Sequence, residues 1–164
     1  MLFALENLSA NEGMAKRALE WLTQCQNYDG GYGVSPGGPS VAFATARCAT
    51  AFRMHGVSLS DDRIKRGISW LLRIQKSSGG FSMAMSYPED PELTAYVITT
   101  LSGIEIHRGC VDKAVEYLAR VQEADGSFVS YAPIQFNGQS KRNTQTACFV
   151  ALAMIEMLEK SRNL

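Results

Sequence analysis

The 164-residue chain is short of the residues from which common reactive centres are built: it has two histidines, four cysteines, two tryptophans and no net charge. His55 and His107 stand alone near expected helix ends, where core or capping duty suits them. Cys25, Cys48, Cys110 and Cys148 form no Cys-x-x-Cys pair. Metal sites need clustered ligands, so neither a metal nor another cofactor is expected, and the cysteines read as reduced, buried thiols acting as small hydrophobes. Sixteen basic residues balance sixteen acidic ones, leaving no global field to recruit nucleic acid or an anionic membrane. The one basic cluster, Arg63, Lys65 and Arg66 beside Asp61 and Asp62, reads as a solvated helix start. No nearly uncharged run reaches the ~18 residues of a membrane span. Residues 1–8 are too short for a secretory leader and contain Glu6. The expectation is one soluble, cytoplasmic domain over residues 1–164 with a continuous core.

What the chain has is one phrase written three times. It runs Arg17-Ala18…Trp21-Leu22…Gln26…Gly30-Gly31-Tyr32, then Arg66-Gly67…Trp70-Leu71…Gln75…Gly79-Gly80-Phe81, then Lys113-Ala114…Tyr117-Leu118…Gln122…Gly126-Ser127-Phe128. Trp21 and Trp70 are 49 residues apart, and Trp70 and Tyr117 are 47 apart. A fixed period in this range signals stacked supersecondary units.

Before each Gln the apolar residues have helical spacing. The stripes are Met14, Ala18, Trp21, Leu22 and Cys25; Ile64, Ile68, Leu71, Leu72 and Gln75; and Val111, Ala114, Val115, Leu118 and Val121. Lys16, Glu20, Lys65, Ser69, Arg73, Lys113, Glu116 and Arg120 fall on the opposite faces, so these helices show one side to water. The glycines are expected to end each helix as left-handed C-caps, with Asp29 and Asp125 as turn residues. A second helix follows each stop, over 41–54, 93–104 and 147–155, with almost no charge except Arg47 and Arg53. Helices apolar all round are expected to be buried all round. Thr-Ala recurs in them at Thr45, Thr94 and Thr146, and the third copy carries a longer loop around Pro133 to Lys141. The units read as about 14–56, 62–106 and 110–160, with residues 1–8 as the tail of a preceding inner helix.

The three phrases resemble the QW motif of the prenyltransferase and squalene-cyclase (terpenoid cyclase) superfamily. The resemblance covers residues 17–158 and implies an all-α, α/α toroid of outer helices ending in the motif and inner helices around a cavity. It also implies that Gln26, Gln75 and Gln122 tie helix ends together. A full ring in that superfamily has about six helix pairs, so this chain is expected to supply roughly half, as an array of about three hairpins. Self-association, or pairing with further helical repeats, would complete it.

For chemistry, the resemblance implies an acid from an Asp-x-Asp-Asp motif just before an inner-helix Thr-Ala, protonating an alkene in an apolar cavity. The first copy has Ala42, Phe43 and Ala44 there, and the third has Asn143, Thr144 and Gln145. The second offers Asp90-Pro91-Glu92-Leu93, a partial match whose Asp90 and Glu92 are the candidate acids. The same residues also suit a helix start, with a capping Asp and an early Pro. Phe43, Tyr96 and Phe149 are candidate ligand contacts, since aromatic faces stabilise cations, and they equally suit a plain core. The Asp, Cys and His zinc ligands of protein prenyltransferases are missing, as is the Gly-Cys-Gly-Glu-Gln segment of thioester domains. The expected function is therefore binding of a large apolar, isoprenoid-type molecule, with acid-initiated cyclisation if the domain is an enzyme. A non-catalytic assembly module and a carbohydrate-active toroid, using the loop at 133–142, are the rival expectations.

Overall fold

Six helices hold most of the regular structure among the described residues of this computed structural model, which are 8–102, 104, 108–131, 141–142 and 144–162. They are α1 (Leu8–Gln24), α2 (Ala42–Met54), α3 (Asp62–Ile74), α4 (Pro91–Leu101), α5 (Arg108–Val121) and α6 (Thr144–Arg162). Two short strands, β1 (Val129–Ser130) and β2 (Lys141–Arg142), pair antiparallel between α5 and α6. The expected remnant of a preceding helix lies, apart from Leu8, outside the described residues. So do His107, Asn143 and most of the loop at 133–142.

Helix α2 packs on α1, α3 and α4, while α4 packs on α2, α5 and α6. Helices α2, α4 and α6 therefore form an inner row with α1, α3 and α5 outside it, the all-α toroid-type arrangement. The stripes of α3 and α5 face inward, with Ile64, Ile68, Leu71, Val111, Ala114 and Leu118 buried. Asp61 caps α3 by accepting the Arg63 N–H at 2.9 Å, and it takes the Arg63 guanidinium on both oxygens, at 2.8 and 2.7 Å. Asp90 caps α4, and Pro91 opens that helix where no intrahelical N–H bond is needed.

Each outer helix joins the next through the loop after it. Gln26 Nε2 donates to Gly30 O and to Arg63 O, both at 3.0 Å. Gln75 Nε2 repeats this with Gly79 O at 3.0 Å and Cys110 O at 2.9 Å. Trp70 Nε1 donates to Asp29 Oδ2 at 2.8 Å. Each loop also binds its own inner helix, since the N–H of Tyr32 bonds Thr45 Oγ1 at 2.8 Å and that of Phe81 bonds Thr94 Oγ1 at 2.9 Å.

Four expectations are corrected. The glycines do not cap the helices, which end at Gln24, Ile74 and Val121, several residues earlier. Gly30 and Gly79 instead sit at φ of 94° and 97° with their backbone against the carbonyls of Arg66 and Lys113. Gly31 and Gly80 leave room for the rings of Trp70 and Tyr117. The stripe of α1 is largely exposed, at 58% for Met14 and 46% for Trp21, whereas Trp70 is 6% exposed. The inner helices are not buried all round: Arg47 and Met54 are exposed on α2, and Leu152, Ile155 and Leu158 on α6. Cys148 is likewise exposed, while Cys25 and Cys48 are buried. Periodicity identifies an apolar face, and burial additionally needs a neighbour on that face.

Two measurements test these contacts. Gly30→Ala sets a Cβ 2.8 Å from Arg66 O at a positive φ, and it should lower unfolding stability by about 2–4 kcal/mol in denaturant titration. Gly37→Ala, at φ 76° with no atom within 4 Å, should cost only about 1 kcal/mol. Equal losses would contradict the close approach. The Arg63 guanidinium and backbone N–H hold the Asp61 carboxyl at about 2, against an ordinary 3.8. A lowered folded value contributes stability that is complete above about pH 4 and lost as the pH falls toward 2. Asp61→Asn should therefore lower the thermal midpoint at neutral pH and flatten its fall across that window, the difference from the parent protein closing toward pH 2.

Candidate ligand groove and carboxylate cluster

The inner row turns one turn of α4 and most of α6 toward an open groove of about 440 Å³. Its described lining is Ala95, Tyr96, Thr99, Phe149, Leu152, Ile155, Glu156 and Glu159. Helical spacing explains the set, because residues three or four apart share a face. The rings of Tyr96 and Phe149 lie 4.5 Å apart at 46°, forming an aromatic floor between α4 and α6. Phe43 is not part of it; that side chain is half-buried against the core on α2. Two of the three predicted ligand contacts thus meet, and the third stands elsewhere.

Arg47, the lone charge on the exposed side of α2, reaches across to Tyr96. Its Nη2 donates to the Tyr96 hydroxyl at 2.7 Å, and its guanidinium carbon is 4.7 Å from the ring centre. Burial raises the Tyr96 phenol above its ordinary value, against the opposing hydrogen bond from Arg47. The phenol accepts from Arg47, so its own proton remains available to another acceptor. Nothing in the sequence singled out this pair, although Arg47, one of two arginines in an otherwise uncharged helix, was a usable signal.

Asp90 and Glu92 lie at the N-terminal end of α4, outside the described lining of the groove. Asp90 Oδ1 accepts the N–H groups of Glu92 at 2.9 Å and Leu93 at 3.2 Å. Its Oδ2 accepts the Ser130 hydroxyl at 2.8 Å and the Tyr131 N–H at 2.5 Å. Four donors converge on the two oxygens, which is the full acceptor capacity of an ionised carboxylate. Asp90 therefore fastens α4 to the end of β1. Glu92 is 8% exposed and joins α4 to α6: Oε1 accepts from Gln145 Nε2 at 2.8 Å and Oε2 from Thr146 Oγ1 at 3.0 Å. One helical turn separates Glu92 from Tyr96, so the carboxylate and the aromatic floor share one side of α4. The Thr-Ala recurrence pointed to Thr146, and Gln145 fills a position where the motif would carry an acid.

The remaining reactive groups are quiet. Burial raises the Cys25 thiol and pushes Cys48 up to about 12 and Cys110 up to about 11, so these sulfurs remain protonated thiols at neutral pH. Among the described residues, no three His, Cys, Asp or Glu side chains lie close enough together to hold a metal ion. No described helix is long and apolar enough to cross a membrane.

Comparison with known proteins agrees with this architecture. The A-macroglobulin TED domain family matches residues 58–163, and the prenyltransferase alpha-alpha toroid domain family matches residues 1–82. No curated protein matches the sequence. Among solved structures, a possible member of the GH105 family from Klebsiella pneumoniae is similar, with a TM-score of 0.70 at 13% identity. That superposition uses 96% of this chain and 51% of the other, so the chain spans about half the length of its structural relative. At that identity the likeness is one of fold. Half of the sequence matches a single toroid model, and the inner and outer helical rows have the corresponding arrangement: the chain belongs to the prenyltransferase alpha-alpha toroid superfamily.

Proposed function

We propose that the inner face of α4 and α6 binds a large apolar molecule of isoprenoid type. The observation that carries this reading is the Tyr96–Phe149 pair flooring a groove whose walls include Ala95, Leu152 and Ile155. Burial of an apolar chain there is favourable in proportion to the area removed from water. The Tyr96 hydroxyl and Arg47 mark one end for a polar head group, since the guanidinium offers donors and positive charge.

Where the bound molecule is an alkene and is turned over, Glu92 is the proton donor in this proposal. It is buried, and protonation at Oε2 would let the carboxylic acid reverse its bond to Thr146 and remain hydrogen-bonded until the proton moves. Asp90 then serves as the clamp that fixes α4, because its oxygens are occupied by four donors. Tyr96 would stabilise positive charge with its ring face. The rival reading as an assembly module rests on a separate observation, the exposed apolar residues on α1 and α6.

Titration with farnesol, followed by NMR shifts of α4 and α6, should show saturable binding that Phe149→Ala weakens about tenfold, or roughly 1.4 kcal/mol. An absence of saturable shifts would overturn the ligand reading. With squalene or farnesol as substrate and mass-spectrometric detection of products, Glu92→Gln should abolish turnover while leaving farnesol binding within about twofold. Turnover that persists in Glu92→Gln would remove Glu92 as the acid.

A further inference from the structure

The loop-to-helix joint found twice within the chain has its two unmatched halves at opposite ends of the array. At each internal joint the same contacts recur at fixed offsets from the aromatic of the following outer helix. The Gln amide meets the carbonyl seven residues before that aromatic, at Arg63 or Cys110. The positive-φ glycine meets the carbonyl four before it, at Arg66 or Lys113. In the first joint the Asp carboxylate takes the indole N–H, and the Arg66 guanidinium donates to Asn27 O and Tyr28 O, each at 2.9 Å.

The last loop has the giving half of this joint. Gln122 Nε2 bonds Gly126 O at 3.1 Å and, among the described residues, no following helix. Gly126 has φ 84°, and a Cβ placed on it would meet only the Gln122 amide within 4 Å, whereas one on Gly30 or Gly79 would strike a neighbour's backbone. Asp125 is exposed, with Oδ1 taken by Ser127 and Oδ2 3.6 Å from the exposed Arg142 Nη1, a surface ion pair that the indole N–H would join or displace. The receiving half is on α1: Trp21 is 46% exposed and its indole N–H has no partner among the described residues, and Arg17 is exposed one turn before it. The offsets are complete. Met14 O stands seven before Trp21, and Arg17 O stands four before it.

We infer that a second copy of this chain docks head to tail, with Gln122, Asp125 and Gly126 of one copy on Met14, Arg17 and Trp21 of the other. The giving and receiving halves stand on the same chain, so a two-fold axis lets two copies pair both halves at once. The inference deepens the self-association reading and is independent of what the groove binds. In the docked pair, Gln122 Nε2 donates to Met14 O, Asp125 Oδ2 accepts from Trp21 Nε1, and the Arg17 guanidinium donates to the carbonyls of Glu123 and Ala124. Two positions depart from the internal joints. Ser127 replaces the glycine that makes room for the ring, so the indole must shift by a few tenths of an ångström. Gln24 replaces Arg73 and Arg120, which reach back to Asp29 O and Ser78 O. The joint between copies is therefore weaker than those within one.

Sedimentation of the full chain at tens of micromolar should give a species of about 36 kDa, twice the 18.0 kDa monomer. Trp21→Glu should shift it to the monomer, with at least tenfold weaker association, while circular dichroism and the thermal midpoint stay unchanged because Trp21 is already exposed. Asp125→Arg should do the same, and Gln122→Glu serves as its isosteric check. Mixing Trp21→Glu with Asp125→Arg should restore dimer in part, because one of the two joints then has both intact halves. A monomer at all concentrations overturns the inference. So does a dimer indifferent to Trp21→Glu, or one lost with Trp21→Glu but kept with both tail variants, which would be head-to-head pairing. Open polymers larger than the dimer would overturn closure by two copies.

Discussion

The structure depends on one side-chain amide used twice. Gln26 and Gln75 each spend their two N–H donors on two carbonyls, one closing the glutamine's own loop and one at the start of the next outer helix. Apolar burial is non-directional and would tolerate sliding of one helix along another. Two hydrogen bonds from a single planar group do not, because each fixes distance and angle. The carbonyls lose nothing, since an oxygen already engaged in a helix retains a second lone pair. Once the next helix start is fixed, Trp70 lands on Gly31 and Asp29, and Tyr117 lands on Gly80. The glycines are thus consequences of the joint, demanded by close approach.

The inner row inherits its position from the same loops. Thr45 and Thr94 receive the N–H groups of Tyr32 and Phe81, which binds each inner helix to the turn that also holds the next outer helix. Between inner helices the ties are again polar. Thr100 Oγ1 bonds Ala46 O and approaches Thr50 Oγ1, both at 3.1 Å, and Glu92 spans to Gln145 and Thr146. Among the described residues every buried side-chain nitrogen and oxygen has a partner. Unpaired polar groups in this row would cost more than the bonds return, so the ties set a register between helices whose apolar surfaces alone would accept several. The candidate acid is embedded in that system, so the proposed proton transfer would use the same two oxygens that hold α4 to α6.

The repeat spacing made the alternation of outer and inner helices legible, and with it the stripes of α3 and α5 and the capping of α4 by Asp90 and Pro91. Three things were not legible, for one physical reason. Trp21 and Trp70 have the same local sequence setting, yet they are 46% and 6% exposed, because Trp70 packs on Gly31 and Asp29 and no described residue takes that place beside Trp21. Phe43 and Phe149 both sit on largely apolar inner helices, yet only the Phe149 ring meets that of Tyr96, while Phe43 packs against the core. Gly30 reads as a helix stop, yet its role lies in the backbone of α3, more than thirty residues along the chain. Each outcome depends on the neighbour supplied by the rest of the array, which a local pattern does not record.

That dependence also links association to chemistry. In a repeat array, stability is a sum of unit terms and joint terms, and a row of three repeats has fewer joints than units. Closure of two rows gives every unit a full set. It would also cover an inner face that is now an open groove bearing Glu156 and Glu159 at its far end. An alkene protonated in an open groove gives a cation that water captures, whereas an enclosed apolar cavity excludes water and strengthens every charge interaction inside it. Acid-initiated cyclisation as proposed would therefore require an enclosed cavity as well as an acid, and the open groove of the described residues offers no enclosure. Binding of an apolar molecule carries no such requirement, since the Tyr96–Phe149 floor is formed within one chain.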